Sequence, residues 1–212
     1  AAAQQAVTQA KGLESAFACY VAKQAARIAI ARGHYGPARA WLEPWGEDLE
    51  AAYLVAATDL RSGDERVKEG GQRRLEELGK RPDAWGLVAH AAACAKRRED
   101  GETVVRAARR AALADPSCRR DARFLEGLGH FRAQRYDAAA RCVRGEEARF
   151  GPDVHDLYLL AACLLNQSDV QEAERLVDRA RRLSLPQWVP SGVGLHAQVL
   201  SEARRYEELA KL

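Results

Sequence analysis

Arg135-Tyr136-Asp137-Ala138-Ala139-Ala140 decides how this chain is read: an aromatic and an acidic residue open a helix, and an alanine one turn later flattens one of its faces. The pattern recurs at Gly33-His34-Tyr35-Gly36-Pro37-Ala38-Arg39-Ala40, at Ser168-Asp169-Val170-Gln171-Glu172-Ala173-Glu174 and at Arg204-Arg205-Tyr206-Glu207-Glu208-Leu209. Tyr136 and Val170 are 34 residues apart, Ala139 and Ala173 again 34, and Val170 and Tyr206 are 36 apart. A period in this range marks a helical hairpin repeated along the chain.

Outward from that stretch, the helix preceding each turn carries its own small residue. Ala26, Ala56, Ala92, Gly127, Ala161 and Ala197 are separated by 30, 36, 35, 34 and 36 residues. Antiparallel helices approach closely only where one side chain is nearly absent, and stacking the next pair asks for a second such position. Pro82, Pro116, Pro152 and Pro186, at intervals of 34, 36 and 34, end helices and reset the chain between hairpins. The composition agrees: alanine, arginine, glutamate and leucine are abundant and β-branched runs are few, which favours helix almost throughout.

Taken together, Gly127, Tyr136, Ala139 and Pro152, then Ala161, Ala173, Ala180 and Pro186, with Ala92, Ala111 and Pro116 before them, resemble the tetratricopeptide repeat family. The resemblance implies an all-α fold, a right-handed α-solenoid of about six antiparallel helix-turn-helix hairpins over residues 13–212, with residues 1–12 as a cap or linker. The unit at about 49–82 has Gly70-Gly71 near its second helix and needs about three extra residues in its turn. Trp45 and Glu146 stand where the family places alanine. The last unit has only Tyr206–Leu212 for its second helix, so the array is expected to belong to a longer protein. Pentatricopeptide repeats, which read RNA, share the period, but the small-residue register and the Tyr/Asp helix starts fit the tetratricopeptide pattern better; the ~40-residue period of HEAT-like hairpins fits worse.

Thirty-three basic against thirty acidic residues leave a net charge of +3, too little to point to nucleic acid. Every long apolar run is broken by charge, so no ~20-residue membrane span is expected. Cys19, Cys94, Cys118, Cys142 and Cys163 are odd in number and form no CxxC pair. They read as small core residues in a reducing, cytoplasmic setting.

Catalysis requires a converging nucleophile, base and orienting group. His34, His90, His130, His155 and His196 fall in different repeats, and HExxH, GxSxG and phosphate-binding loop patterns are missing. Gly127-Leu128-Gly129 reads as close helix packing and His130 as a core histidine. No enzyme activity, cofactor or metal is expected.

The family register instead places first-helix residues along a concave groove, because positions i, i+3 or i+4, and i+7 share one helical face. Cations expected there are Lys23, Arg27, Arg61, Lys96, Arg97 and Arg132, and interleaved aromatics are Tyr20, Tyr53, Phe124, Phe131 and Tyr158. Arginine grips carboxylates bidentately and aromatics supply anchoring area. The alternative for Arg61, Arg97 and Arg132 is simple solvation of helix ends. The asparagines of a chaperone-tail clamp are missing, with Leu54 and Ala57 in the corresponding region. The expected function is a scaffold or adaptor binding an extended or helical protein segment, acidic with apolar anchors. RNA binding, or docking onto a catalytic domain outside this chain, are the alternatives, and self-association stays open.

Overall fold

The computed structural model describes residues 15–97, 100–184 and 190–203, and within them it is all-helical, with eleven α-helices and no strand. Residues 1–12, Pro186 and Tyr206–Leu212, on which several expectations fall, lie outside that set. Ten helices pair in order: α1 (Ser15–Ala31) with α2 (Tyr35–Leu42), α3 (Leu49–Asp59) with α4 (Glu65–Leu78), α5 (Ala84–Lys96) with α6 (Gly101–Ala114), α7 (Arg119–Arg132) with α8 (Tyr136–Phe150), and α9 (Val154–Asn166) with α10 (Val170–Ser184). The eleventh, α11 (Pro190–Glu202), packs on α10 and α9. Each hairpin packs on the next, and the first helices of neighbouring hairpins also touch one another directly.

Aspartates set the helix starts. Asp48, Asp64, Asp83 and Asp153 precede α3, α4, α5 and α9, and each accepts a hydrogen bond from a first-turn N–H. That satisfies a donor with no partner inside the helix. Pro82 and Pro152 lie between hairpins, and Pro116 opens the short 3₁₀ turn Pro116–Cys118 ahead of α7.

The turns inside hairpins one, four and five are the same turn. Gly33, Gln134 and Ser168 each have positive φ, at 76°, 58° and 67°. In each, the following N–H reaches back over the helix end: His34 to the Ala29 carbonyl, Arg135 to that of His130, and Asp169 to that of Leu164. This is the 6→1 closure of a helix that ends in one left-handed residue. Three residues join the helices in these hairpins, against five between α3 and α4, which agrees in direction with the expected longer turn of the second unit.

Alanines fill the helix contacts. Ala26, Ala56, Ala161, Ala38, Ala111, Ala139, Ala173 and Ala180 are fully buried, and Ala92 nearly so. Of the Gly127-Leu128-Gly129 stretch, Gly129 makes the closest approach. A Cβ there would meet the Gly101 carbonyl and Val105 of α6, whereas a Cβ on Gly127 would reach only ordinary contact at 3.4 Å. Gly71 of the expected irregular unit is itself such a position, lying against Asp59 and the Ala56 carbonyl. Tyr35, Phe124 and Leu128 pack against both halves of the core, one reaching from α1 to α7 and the other from α8 to α11.

Two stability measurements test this packing. Gly129→Ala should cost about 1–3 kcal/mol in chemical denaturation, because α6 must move away from α7. Gly127→Ala, which gains helix propensity without a clash, should be neutral or stabilising by up to about 1 kcal/mol. At the turn, Gln134→Gly should gain up to ~1 kcal/mol by relieving a left-handed conformation that only glycine adopts without penalty.

Candidate functional site

Lys23 and Arg27, one turn apart on α1, do not stand open to solvent. Lys23 Nζ lies 3.0 Å from both Asp48 Oδ2 and Glu50 Oε2 at the start of α3. Arg27 donates through Nε to Glu50 Oε1 and through Nη1 to Asp121 Oδ2 of α7, each at 2.9 Å. Its guanidinium also sits 5.7 Å from the Trp85 ring centre of α5. One side chain thus ties four hairpins together. Burial alone would lower the Arg27 pKa, but Asp121 and Glu50 more than offset it and hold the charge in place. Asp48 is held below the usual carboxylate range despite its partial burial, by the Ala51 N–H and Lys23.

A second contact spans the molecule at the α1–α2 turn. Tyr35 Oη and His155 Nε2 of α9 share a hydrogen bond of 2.8 Å, their rings stacked with centres 5.8 Å apart. Phe124 meets the same imidazole edge-on at 6.4 Å. Burial, with Arg61 adding to it, pushes the His155 pKa well below its ordinary value, so the ring is neutral at pH 7. The first hairpin therefore closes against the fourth and fifth.

The other expected groove residues divide. Tyr53 and Tyr158 are only 5% and 6% exposed, so both serve the core: Tyr53 packs on Trp85, and Tyr158 lies against Gly192 of α11. Phe124 and Phe131 are half-buried, Phe131 edge-on to Tyr136. Arg61 turns back to donate to the Ala57 carbonyl of its own helix at 2.7 Å, the helix-end role that competed with the groove reading. Arg97, exposed, pairs with Glu76 of α4 at 2.9 Å; Arg132 is half-buried and Lys96 exposed. Of the eleven expected residues, Tyr20 and Arg27 come together at one cleft.

That cleft, of about 780 Å³, opens between α1 and the approaches to α7 and α9. Tyr20, Gln24, Ile28 and Arg32 line it from α1, Pro116, Ser117 and Arg120 from the start of α7, and Pro152 and Leu183 from the far side. Phe17, Tyr20 and Ile28 are half-exposed and fall on one face of α1. Of the arginines along it, Arg27 is engaged by Glu50 and Asp121, Arg120 pairs with Asp153 at 3.1 Å, and Arg32 is exposed. Sequence reasoning missed Asp48 and Asp121, since nothing in a repeat register says which acid a distant cation will meet. It also missed Ile28 and Arg32, which lie off the family's groove positions.

The cysteines are all unpaired, and burial raises the thiol pKa of Cys118 to about 11 and of Cys163 to about 12. The fold also gathers Glu126 and His130 of α7 with Cys142 of α8, their ligand atoms within 4.8 Å of one another. His130 is buried as expected, and burial lowers its pKa.

Arg27→Ala should destabilise by about 3 kcal/mol in urea unfolding, because it leaves Glu50 and Asp121 partly buried without their shared cation. Arg27→Lys should recover only part of this, since a point charge cannot serve both acids. His155 has a folded pKa below its unfolded value of about 6.5. Its neutral-ring contribution is complete above that pH and declines as pH falls, because the unfolded chain takes up the proton first. His155→Gln should therefore flatten the loss of melting temperature between pH 7 and 5. Comparisons of the chain with protein-family models, with curated proteins and with solved structures give no match.

Proposed function

We propose that the chain is a right-handed solenoid of tetratricopeptide-like hairpins that acts, without catalysis, as an interaction scaffold. Its partner is a protein segment, helical or extended, with apolar side chains beside carboxylates. The observation that carries this reading is the cleft beside α1, lined by half-exposed Tyr20 and Ile28 and by exposed Arg32, with half-exposed Phe17 on the same face of the helix. Apolar anchors give binding energy, and an arginine such as Arg32 gives orientation toward an acidic partner. The repeat spacing and the direct stacking of first helices support the solenoid. The inner-face cations Lys23 and Arg27, engaged by Asp48, Glu50 and Asp121, brace the scaffold in this reading, and the binding surface shifts from the middle of the groove to its opening.

Affinity capture followed by titration with the captured partner tests the proposal. Tyr20→Glu with Ile28→Glu should weaken binding at least tenfold and leave the melting temperature near wild type, since both side chains are half-exposed. Lys96→Glu, away from the cleft, should leave affinity unchanged. A captured nucleic acid whose binding collapses with salt would favour the RNA-binding alternative instead. A protein partner indifferent to the α1 double variant would remove the cleft from the proposal.

A further inference from the structure

The chemistry at Glu126, His130 and Cys142 does not belong to the cleft. Glu126 and His130 are one turn apart on α7, so both project from one face of that helix, and Cys142 comes from the paired helix α8. Carboxylate, imidazole and thiol are a donor set suited to a borderline-soft divalent ion, with zinc the common case. The His130 side chain is only 7% exposed, and its Nδ1 has no hydrogen-bond partner.

What holds these groups now is informative. The Arg109 guanidinium from α6 donates to Glu126 Oε1 at 2.6 Å and lies 3.4 Å from His130 Nε2. The two ring and carboxylate atoms are themselves 3.7 Å apart. A cation thus already sits between the carboxylate and the imidazole. It is held from outside, on a side chain 57% exposed and able to swing into solvent. Arg123 binds the other oxygen, Oε2, and can stay there while Oε1 is used. Tetrahedral zinc with bonds of about 2.0–2.3 Å places its ligands roughly 3.3–3.7 Å apart. The present spread of up to 4.8 Å is closed by side-chain rotation on two helices already packed together.

We propose that Glu126 Oε1, one imidazole nitrogen of His130 and Cys142 Sγ bind a Zn²⁺-like ion, with water in the fourth position and Arg109 as the built-in competitor. Binding displaces the Arg109 contact and releases the Cys142 thiol proton to solvent. The ion then staples α7 to α8, within the fourth hairpin. This site is independent of the scaffold reading, and either stands without the other.

The reduced 212-residue chain is titrated with Co²⁺ and then Zn²⁺. One equivalent of Co²⁺ should give a thiolate-to-cobalt charge-transfer band, removed by Zn²⁺, and Zn²⁺ should raise the melting temperature. Cys142→Ser should abolish the band while helical circular dichroism is retained. Glu126→Gln, a second variant with its ligand charge removed, should weaken Zn²⁺ at least tenfold. Arg109→Gln should tighten Zn²⁺ by about tenfold, which a chance thiol site would not do. The proposal is overturned by no band, by a band that survives Cys142→Ser, as it would if Cys94 beside His90 were the ligand, or by an Arg109→Gln affinity equal to wild type.

Discussion

Close approach of helix backbones at alanine and glycine is the constraint on which the rest of this structure depends. Where α6 and α7 meet, Gly101 and Gly129 leave so little room that a methyl group on either would strike the opposing backbone. The same economy, with alanine in place of glycine, repeats through Ala26, Ala56 and Ala161. Burying so many small side chains yields modest transfer energy for each residue, because each removes little apolar surface from water. Stability must then come from many contacts of dense packing, with the larger side chains Leu42, Leu75, Leu157 and Leu200 filling the spaces between helices.

A repeat array built this way would leave its first helices lined with charge, and the chain answers that charge internally. Lys23 and Arg27 take acids from the second and fourth hairpins, and Tyr35 meets His155 of the fifth. Such contacts are directional, unlike the alanine packing. They hold the first hairpin against the second, fourth and fifth, and Arg27 and Glu50 of that set line the cleft beside α1. The cleft beside α1 and the contacts of the first hairpin with the second, fourth and fifth involve some of the same side chains.

Charge also separates the two candidate sites. At the cleft, apolar side chains stand half-exposed beside arginines that, Arg32 apart, are paired with acids of the chain itself. At Glu126 the arginines come from outside and the donors from within, in a space of atomic size, which suits an ion. The same residue type, arginine, lines an open cleft in the first case and neutralises a buried carboxylate in the second, because its exposure and its partners differ.

The helical content, the hairpin period and the contact positions were legible in the residues, because small side chains and prolines act locally, through backbone approach and backbone torsion. Ala139, Ala161 and Ala173 are buried where their spacing put them. The left-handed turn residues Gln134 and Ser168 were hidden, since neither is the glycine that such a conformation favours. What only the tertiary structure decided was which distant groups meet. Arg27 and Asp121 are 94 residues apart, and Tyr35 and His155 are 120 apart. Whether groups so far apart in the chain meet depends on how each hairpin packs on the next. A sequence period marks the hairpins and leaves that packing undetermined, so the burial of Tyr53 and Tyr158, the cleft beside α1 and the Glu126–His130–Cys142 cluster emerged only from the folded chain.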